Sequence, residues 1–196
     1  MRTLLLSLVL AGAAQAQHRH SAPSDTASVA ETFVVTGLRV DEADPPPGSA
    51  VGRAGLRFAD GGYVSVVHGK PYARGRVVWG GLVADGDVWA AGAHRATELV
   101  TTVPLVIGGT RVEAGAYSLF VTPAPGVWTL HVNTALGMHL ADEYDAALDL
   151  ATATVAPVAL AEPVEGLTWA FADDGSALTL AWADRSASFP FARADR

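Results

Sequence analysis

From Ala54 onward, apolar residues alternate with small or polar ones, and turn residues recur at short intervals. Alternation places every second side chain on one face of a strand, so the pattern predicts half-buried β-strands. We therefore predict an all-β fold, an antiparallel β-sandwich or a partly open barrel, with Trp128, Trp169 and Trp182 in its core. The alternating apolar sets are Tyr117, Leu119 and Val121; Trp128, Leu130 and Val132; Leu167, Trp169 and Phe171; Leu178, Leu180 and Trp182; and Phe189 with Phe191.

Turn residues separate several of these predicted strands. Ile107–Thr110 and Pro123–Gly126 are predicted hairpin loops, and Asp173–Gly175 is a predicted turn, because glycine and proline favour the backbone angles of turns. Only Asp142–Leu150 has helical character, with acidic residues near its start, where the helix dipole favours negative charge. We expect one short helical segment there.

The N-terminus has the layout of a secretory signal peptide. Arg2 supplies positive charge, Leu4–Ala11 is apolar, and Ala14–Ala16 is an A-x-A cleavage signature, so residues 1–16 are predicted to be removed. The apolar run is shorter than the roughly 20 residues needed to cross a bilayer. We expect a periplasmic or secreted protein with no membrane insertion after cleavage.

The rest of the chain predicts one domain behind a leader, since 196 residues suit a single folding unit. Residues 17–49 form the flexible leader, with a predicted first strand at Phe33–Val40 and a proline-rich loop at Asp41–Ser49. Residues 50–193 form the predicted β-sandwich domain.

Charge and cysteine content exclude several function classes. The chain has 20 acidic and 13 basic side chains, a net charge of -7, which argues against a nucleic-acid binder and against docking on anionic lipid. It has no cysteine, which excludes disulfides, cysteine-based zinc sites and a thiol nucleophile. No phosphate-loop or hydrolase-elbow pattern occurs, so no cofactor is indicated by a motif.

The block His68–Thr97 (HGKPYARGRVVWGGLVADGDVWAAGAHRAT) is the most specific segment. With Ala114–Phe120 (AGAYSLF), Trp128, Asn133 and Tyr144–Asp145, it resembles the bacterial family known as domain of unknown function 2911. The matching block positions are Pro71, Gly75, Arg76, Gly80, Leu82, Val83, Val88, Trp89, Gly92, Ala93, Ala96 and Thr97. The resemblance covers roughly residues 50 to 192 and implies an exported, β-rich domain with no assigned activity.

The departures from the family pattern concern its polar residues. Where the pattern has Tyr, Arg, Arg and Asn, this chain has His68, Lys70, Ala90 and His94. One guanidinium is therefore lost outright at Ala90 and another is replaced by the amine of Lys70, which does not reproduce the bidentate geometry of arginine, while two imidazoles are gained.

Basic and aromatic residues concentrate in the same block of an otherwise acidic chain. The candidate binding residues are His68, Lys70, Arg74, Arg76, Trp79, Trp89, His94 and Arg95, with Tyr117 from the second matching segment. Such a set would attract a carboxylate, a phosphate or a sugar acid. The leading hypothesis is a non-enzymatic module that uses the Lys70–His94 block to bind a small anionic or sugar ligand or an envelope protein.

The alternative hypothesis is a metal-assisted or acid/base hydrolase centred on His68 and His94, with an acid such as Glu98. His131 and His139 are further histidine candidates, and none of these pairs has the short spacing of a zinc signature. His18 and His20, just behind the predicted cleavage point, are weak candidates for a copper or nickel site.

Arg76 begins an apolar segment and is expected to be partly buried. Its five donors would then need a loop carbonyl or one of Asp85, Asp87 and Glu98, so that it clamps the loop Gly80–Gly92. Arg74, before the turn glycine, is expected to be exposed and to tolerate Lys or Gln.

Overall fold

The computed structural model describes residues 27–33 and 45–195. In this part of the chain the alternating pattern forms eleven β-strands. These are β1 (Ala27–Phe33), β2 (Ala50–Arg57), β3 (Tyr63–Lys70), β4 (Thr97–Thr101), β5 (Leu105–Ile107), β6 (Thr110–Val112), β7 (Gly115–Ala124), β8 (Val127–Asn133), β9 (Asp149–Val155), β10 (Val158–Phe171) and β11 (Ala177–Arg193). Among the residues that the structure describes, none forms a helix that could span a lipid bilayer.

The strands form two antiparallel sheets, which confirms the predicted sandwich class. The larger sheet has the order β1-β2-β3-β4-β7-β8-β9, and the smaller one has the order β10-β11-β5-β6. The strand β11 is long enough to pair with β10 along its first half and with β5 near its end, where Phe191 lies opposite Ile107.

The core lies between the sheets and contains the alternating residues that the sequence identified. Trp128, Trp169 and Trp182 are buried there, as predicted. Burial of such side chains supplies about 1.5–3 kcal/mol each, which lets a cysteine-free chain fold without crosslinks. A second, smaller apolar cluster of Ala90, Ala96, Phe120 and Met138 lies apart from this core.

The predicted hairpin loops are confirmed. Gly108 and Gly109 form a two-residue turn between Ile107 and Thr110 with φ of 58° and 83°, values that suit a type I′ turn. Pro125 and Gly126 form the two-residue connection between β7 and β8, with Gly126 at a φ of 79°.

Two local predictions differ from the structure. The described first strand is Ala27–Phe33, earlier than the predicted Phe33–Val40, of which residues 34–40 lie outside the described residues. The helical segment at Asp142–Leu150 is a single 3₁₀ turn, Ala146–Leu148, and β9 starts at Asp149. The reason is that Ala151 and Ala153 alternate into the core and continue the sheet beside β8.

The connection 71–96, between β3 and β4, attaches to both sheets. Tyr72 forms a bridge to Gly166 of β10, and Trp89 forms a bridge to Val121 of β7. This connection contains most of the Lys70–His94 block, so six of the nine candidate binding residues lie on a segment that contacts both sheets.

Candidate functional site

The residues of the Lys70–His94 block lie in several different environments. His68 and Lys70 alternate with Val64 and Val66 on β3, so they share the face that is buried against the core, and their exposed fractions are 4% and 6%. A Cβ at Gly166 of β10 would overlap the Lys70 side chain, which places Lys70 directly beneath the second sheet.

The buried position of His68 controls its charge. The pKa of His68 is lowered to about 4, mainly by burial and to a smaller extent by the nearby positive charge of Lys70, while the hydrogen bond of Nδ1 with the Gly69 carbonyl (3.0 Å) acts in the opposite direction. The imidazole is therefore neutral at pH 7.

His94 and Arg95 lie in an exposed turn, where His94 has a φ of 67°. His68 and His94, the predicted hydrolytic pair, thus occupy a buried and an exposed environment. Within residues 27–33 and 45–195, no group of three or more His, Asp or Glu side chains is arranged to hold a metal ion. His18 and His20 lie outside the described residues, as does the predicted signal peptide.

Trp79 and Trp89 are half-buried and pack against two core tryptophans. The Trp79 ring lies 4.3 Å from that of Trp128, and the Trp89 ring stacks on Trp182 at 5.8 Å between centroids. The Trp79 indole N–H donates to the carbonyl of Trp182. Tyr117 is buried in the main core and donates its hydroxyl to the Glu113 carbonyl at 3.0 Å.

Arg76 is exposed, so the prediction that it is partly buried was wrong, because the turn before it leaves its side chain at the surface. It donates from Nε to the Ala73 carbonyl (3.0 Å) and from Nη2 to the Tyr72 carbonyl (2.6 Å), so loop carbonyls are its partners. These carbonyls belong to the turn that precedes it, however, so Arg76 holds that turn and not the loop Gly80–Gly92. The reason is geometric, because the turn around Gly75 (φ 68°) brings carbonyls three and four residues earlier within reach of the guanidinium.

An open cleft of about 410 Å³ lies beside this turn. One wall is formed by Ala73 and residues 75–79, and the other by residues 163–165 of β10 and 183–185 of β11. The register of β10 against β11 shifts on both sides of the pair Val164–Ala183, and Ala183 has a φ of 49°. Such bulges redirect side chains and are common next to binding sites.

The cleft lining combines both signs of charge with apolar surface. Arg76 and Arg185 contribute guanidinium groups, and Glu165 and Asp184 contribute carboxylates. Val77, which is 72% exposed, and the half-buried Trp79 contribute apolar surface. Two of the nine candidate binding residues, Arg76 and Trp79, therefore meet in one cavity.

Hydrogen bonds through Glu165 hold the two walls together. Its backbone carbonyl accepts from the Ala73 N–H (2.8 Å) and from the Trp182 indole (3.1 Å). Its carboxylate accepts from the Arg74 N–H at 2.6 Å. A cleft held in this way needs little ordering when a ligand binds, which favours affinity.

Sequence reasoning did not identify Glu165, Asp184 and Arg185. They lie far along the chain from the block, inside two long strands whose alternation reveals burial but not the bulges that turn these side chains to the cleft. The available signal was weak: Pro163 interrupts the strand pattern of β10, and proline within a strand often marks a bulge.

The remaining histidines have polar partners. His139 is exposed and pairs with Asp142 at 3.0 Å. His131 lies between Thr122 and Asp149 in a half-buried hydrogen-bonded network. Of this network, only His131 was a candidate in the sequence, because its partners come from two other strands.

Comparison with known proteins places the chain in a family. A model of the family described as "Protein of unknown function (DUF2911)" matches residues 54–191. No curated protein and no solved structure matches the chain. The match includes strands from both sheets together with the connection 71–96, and covers more than half of the sequence. The chain therefore belongs to the DUF2911 family of proteins of unknown function.

Proposed function

We propose that this protein is exported and that the cleft between residues 75–79 and the bulged β10–β11 pair is a non-catalytic site that binds a sugar acid. The observation that carries the proposal is the lining of that cleft, which combines Arg76, Arg185, Glu165 and Asp184 with the apolar surface of Val77 and Trp79. The N-terminal pattern of the sequence supports export.

A sugar acid matches each part of this lining. Its carboxylate pairs with a guanidinium, which prefers planar anions. Its hydroxyl groups donate to the carboxylates of Glu165 and Asp184. Its C–H face packs on apolar side chains, as amphipathic ligands do on indole rings. A volume of about 410 Å³ lies in the usual range of small-ligand sites, roughly 300–1,000 Å³.

Arg185 is the residue with which to test the charge requirement. Arg76 also holds its own turn through two carbonyls, so its replacement would disturb the fold as well as the site. In Arg185→Gln we expect glucuronate affinity to fall by about 10- to 100-fold, the range that follows from losing a charged hydrogen bond worth about 1.5–3 kcal/mol.

The measurement is calorimetric titration of the purified protein with glucuronate and with glucose. We expect glucuronate to bind more tightly than glucose, and we expect it to raise the melting temperature of the wild type. Arg111→Gln is the matched control, because Arg111 is exposed, pairs with Glu113 and lies outside the cleft. Absence of binding by the wild type, or equal affinities in wild type and Arg185→Gln, would overturn the proposal.

A further inference from the structure

Three polar side chains form a chain of hydrogen bonds across the adjacent strands β7, β8 and β9. The Thr122 hydroxyl lies 3.0 Å from Nε2 of His131, and Nδ1 of His131 lies 2.9 Å from a carboxylate oxygen of Asp149. The hydroxyl and the carboxylate thus contact opposite nitrogens of one imidazole. This is the order in which hydrolases activate a hydroxyl nucleophile.

Both oxygens of the Asp149 carboxylate are held. The Tyr144 hydroxyl donates to Oδ2 at 2.6 Å, and the Asn133 amide donates to Oδ1 at 2.8 Å. Burial raises the pKa of Tyr144, as do its hydrogen bond to Asp149 and the negative charges of Asp149 and Asp145, so its hydroxyl stays protonated and remains a donor. Tyr144 and Asn133 are therefore positioning residues for the carboxylate.

The position of the Asp149 carboxylate determines which nitrogen of the His131 imidazole carries the hydrogen. A carboxylate on the Nδ1 side favours the tautomer with hydrogen on Nδ1, which leaves Nε2 as the acceptor for the Thr122 hydroxyl proton. The side chains of His131 and Asp149 are 14% and 12% exposed, so the pair is largely shielded from water. Electrostatic interactions are stronger in such surroundings than at an open surface.

The outward sheet face around the half-buried Thr122 has short polar side chains. Thr152, opposite His131 on β9, and Thr154 are exposed, and Thr129 is half-buried. These short polar side chains suit a short acyl group better than a long aliphatic one. None of these residues lines the cleft of the proposed binding function.

We propose that Thr122 is the nucleophile of a hydrolytic site for esters of short acyl groups. The Thr122 oxygen bonds to the ester carbonyl carbon while its proton moves to Nε2 of His131. The bond to the alcohol oxygen breaks, and that oxygen takes the proton. Water then gives a proton to His131 and bonds to the acyl carbon, the bond to Thr122 breaks, and Thr122 regains its proton. Ester and water become acid and alcohol.

The test uses p-nitrophenyl acetate as the substrate and a fluorophosphonate as a covalent probe of the nucleophile. We expect the wild type to release p-nitrophenolate above the buffer rate, and mass spectrometry of the labelled protein to place the phosphonyl group on Thr122. Thr122→Val keeps the branched shape and removes only the hydroxyl. We expect Thr122→Val to lose the label and to hydrolyse the ester at least about 100-fold more slowly than the wild type. His131→Gln removes the general base, and we expect a similar loss of rate.

The matched control is Thr179→Val, a half-buried β-branched residue of the smaller sheet whose hydroxyl also makes a hydrogen bond, to Ser188. We expect it to keep the wild-type rate and label, and Thr122→Ser to keep measurable activity. Far-ultraviolet circular dichroism checks that each variant is folded. Equal ester hydrolysis by wild type and Thr122→Val, or a phosphonyl group on another residue, would overturn the proposal and assign the three side chains to stabilising the sheet.

Discussion

At the scale of single residues, His68 couples folding to pH. Its pKa is lowered to about 4 in the folded protein, below the ordinary value of 6.5, so the unfolded chain binds a proton more readily. The contribution of His68 to the free energy of unfolding is complete above about pH 6.5 and decreases as the pH falls towards 4, by about 3 kcal/mol at pH 4.

Denaturant titrations between pH 4 and pH 7.5 check this prediction. His68→Asn retains a donor near the Gly69 carbonyl but does not titrate, so its free energy of unfolding should depend less on pH than that of the wild type. The difference between the two proteins is the informative quantity, because their carboxylates titrate alike. If the free energy of unfolding of the two proteins depended equally on pH, burial would not lower the pKa of His68.

At the scale of elements, Arg74 attaches residues 45–49 to the domain. Its guanidinium donates to the Pro46 carbonyl and to the Gly48 carbonyl, the latter at 2.8 Å. The Arg74 side chain is exposed, as expected, but it makes these two hydrogen bonds. Exposure alone therefore does not predict that glutamine is tolerated at this position. The expectation considered exposure alone, whereas the contact depends on where a distant segment runs.

Arg74→Gln should therefore lower the free energy of unfolding by about 1 kcal/mol and speed amide exchange at Gly48 and Ser49. The backbone bond from Arg74 to Glu165 is unaffected by this change, so the cleft should keep its shape. Hydrogen-exchange mass spectrometry is the measurement, with the exposed Arg95→Gln as control. Unchanged exchange at both amides would contradict the anchoring role.

At the scale of the whole molecule, signal cleavage and the sandwich are compatible. Cleavage after Ala16 would remove no described strand, since β1 begins at Ala27 and pairs with β2 from Ala27–Arg57 to Phe33–Val51. Removing β1 as well would leave β2 as an unpaired sheet edge, which favours association between chains.

We expect the exported chain to begin at Gln17 and to unfold with the same free energy as the full-length chain. A chain starting at Val34 should lose about 2 kcal/mol or more and self-associate. Intact-mass measurement of the exported protein, denaturant titration and size-exclusion chromatography provide the tests. Retention of residues 1–16 in the exported fraction, or equal stability after removal of β1, would contradict this prediction.

The local sequence pattern was sufficient to predict the sandwich class, the core tryptophans and the two hairpin loops. These features depend on side-chain alternation and on glycine and proline in turns, which act over a few residues. The same reasoning identified Arg76 and Trp79 as candidates, because basic and aromatic residues were concentrated in one block. It overestimated the helix at Asp142–Leu150, where pairing of β9 with β8 outweighed a weak local preference.

The sequence was enough to predict a cysteine-free antiparallel sandwich and to name basic, aromatic and histidine side chains as site candidates. Which of these side chains meet depends on the tertiary fold. Arg185 reaches the same cleft as Arg76 through a bulged pairing, and Asp149 reaches His131 through the register of two strands. A one-residue shift in register moves every side chain of a strand to the opposite face, and the register itself depends on packing across the whole sheet.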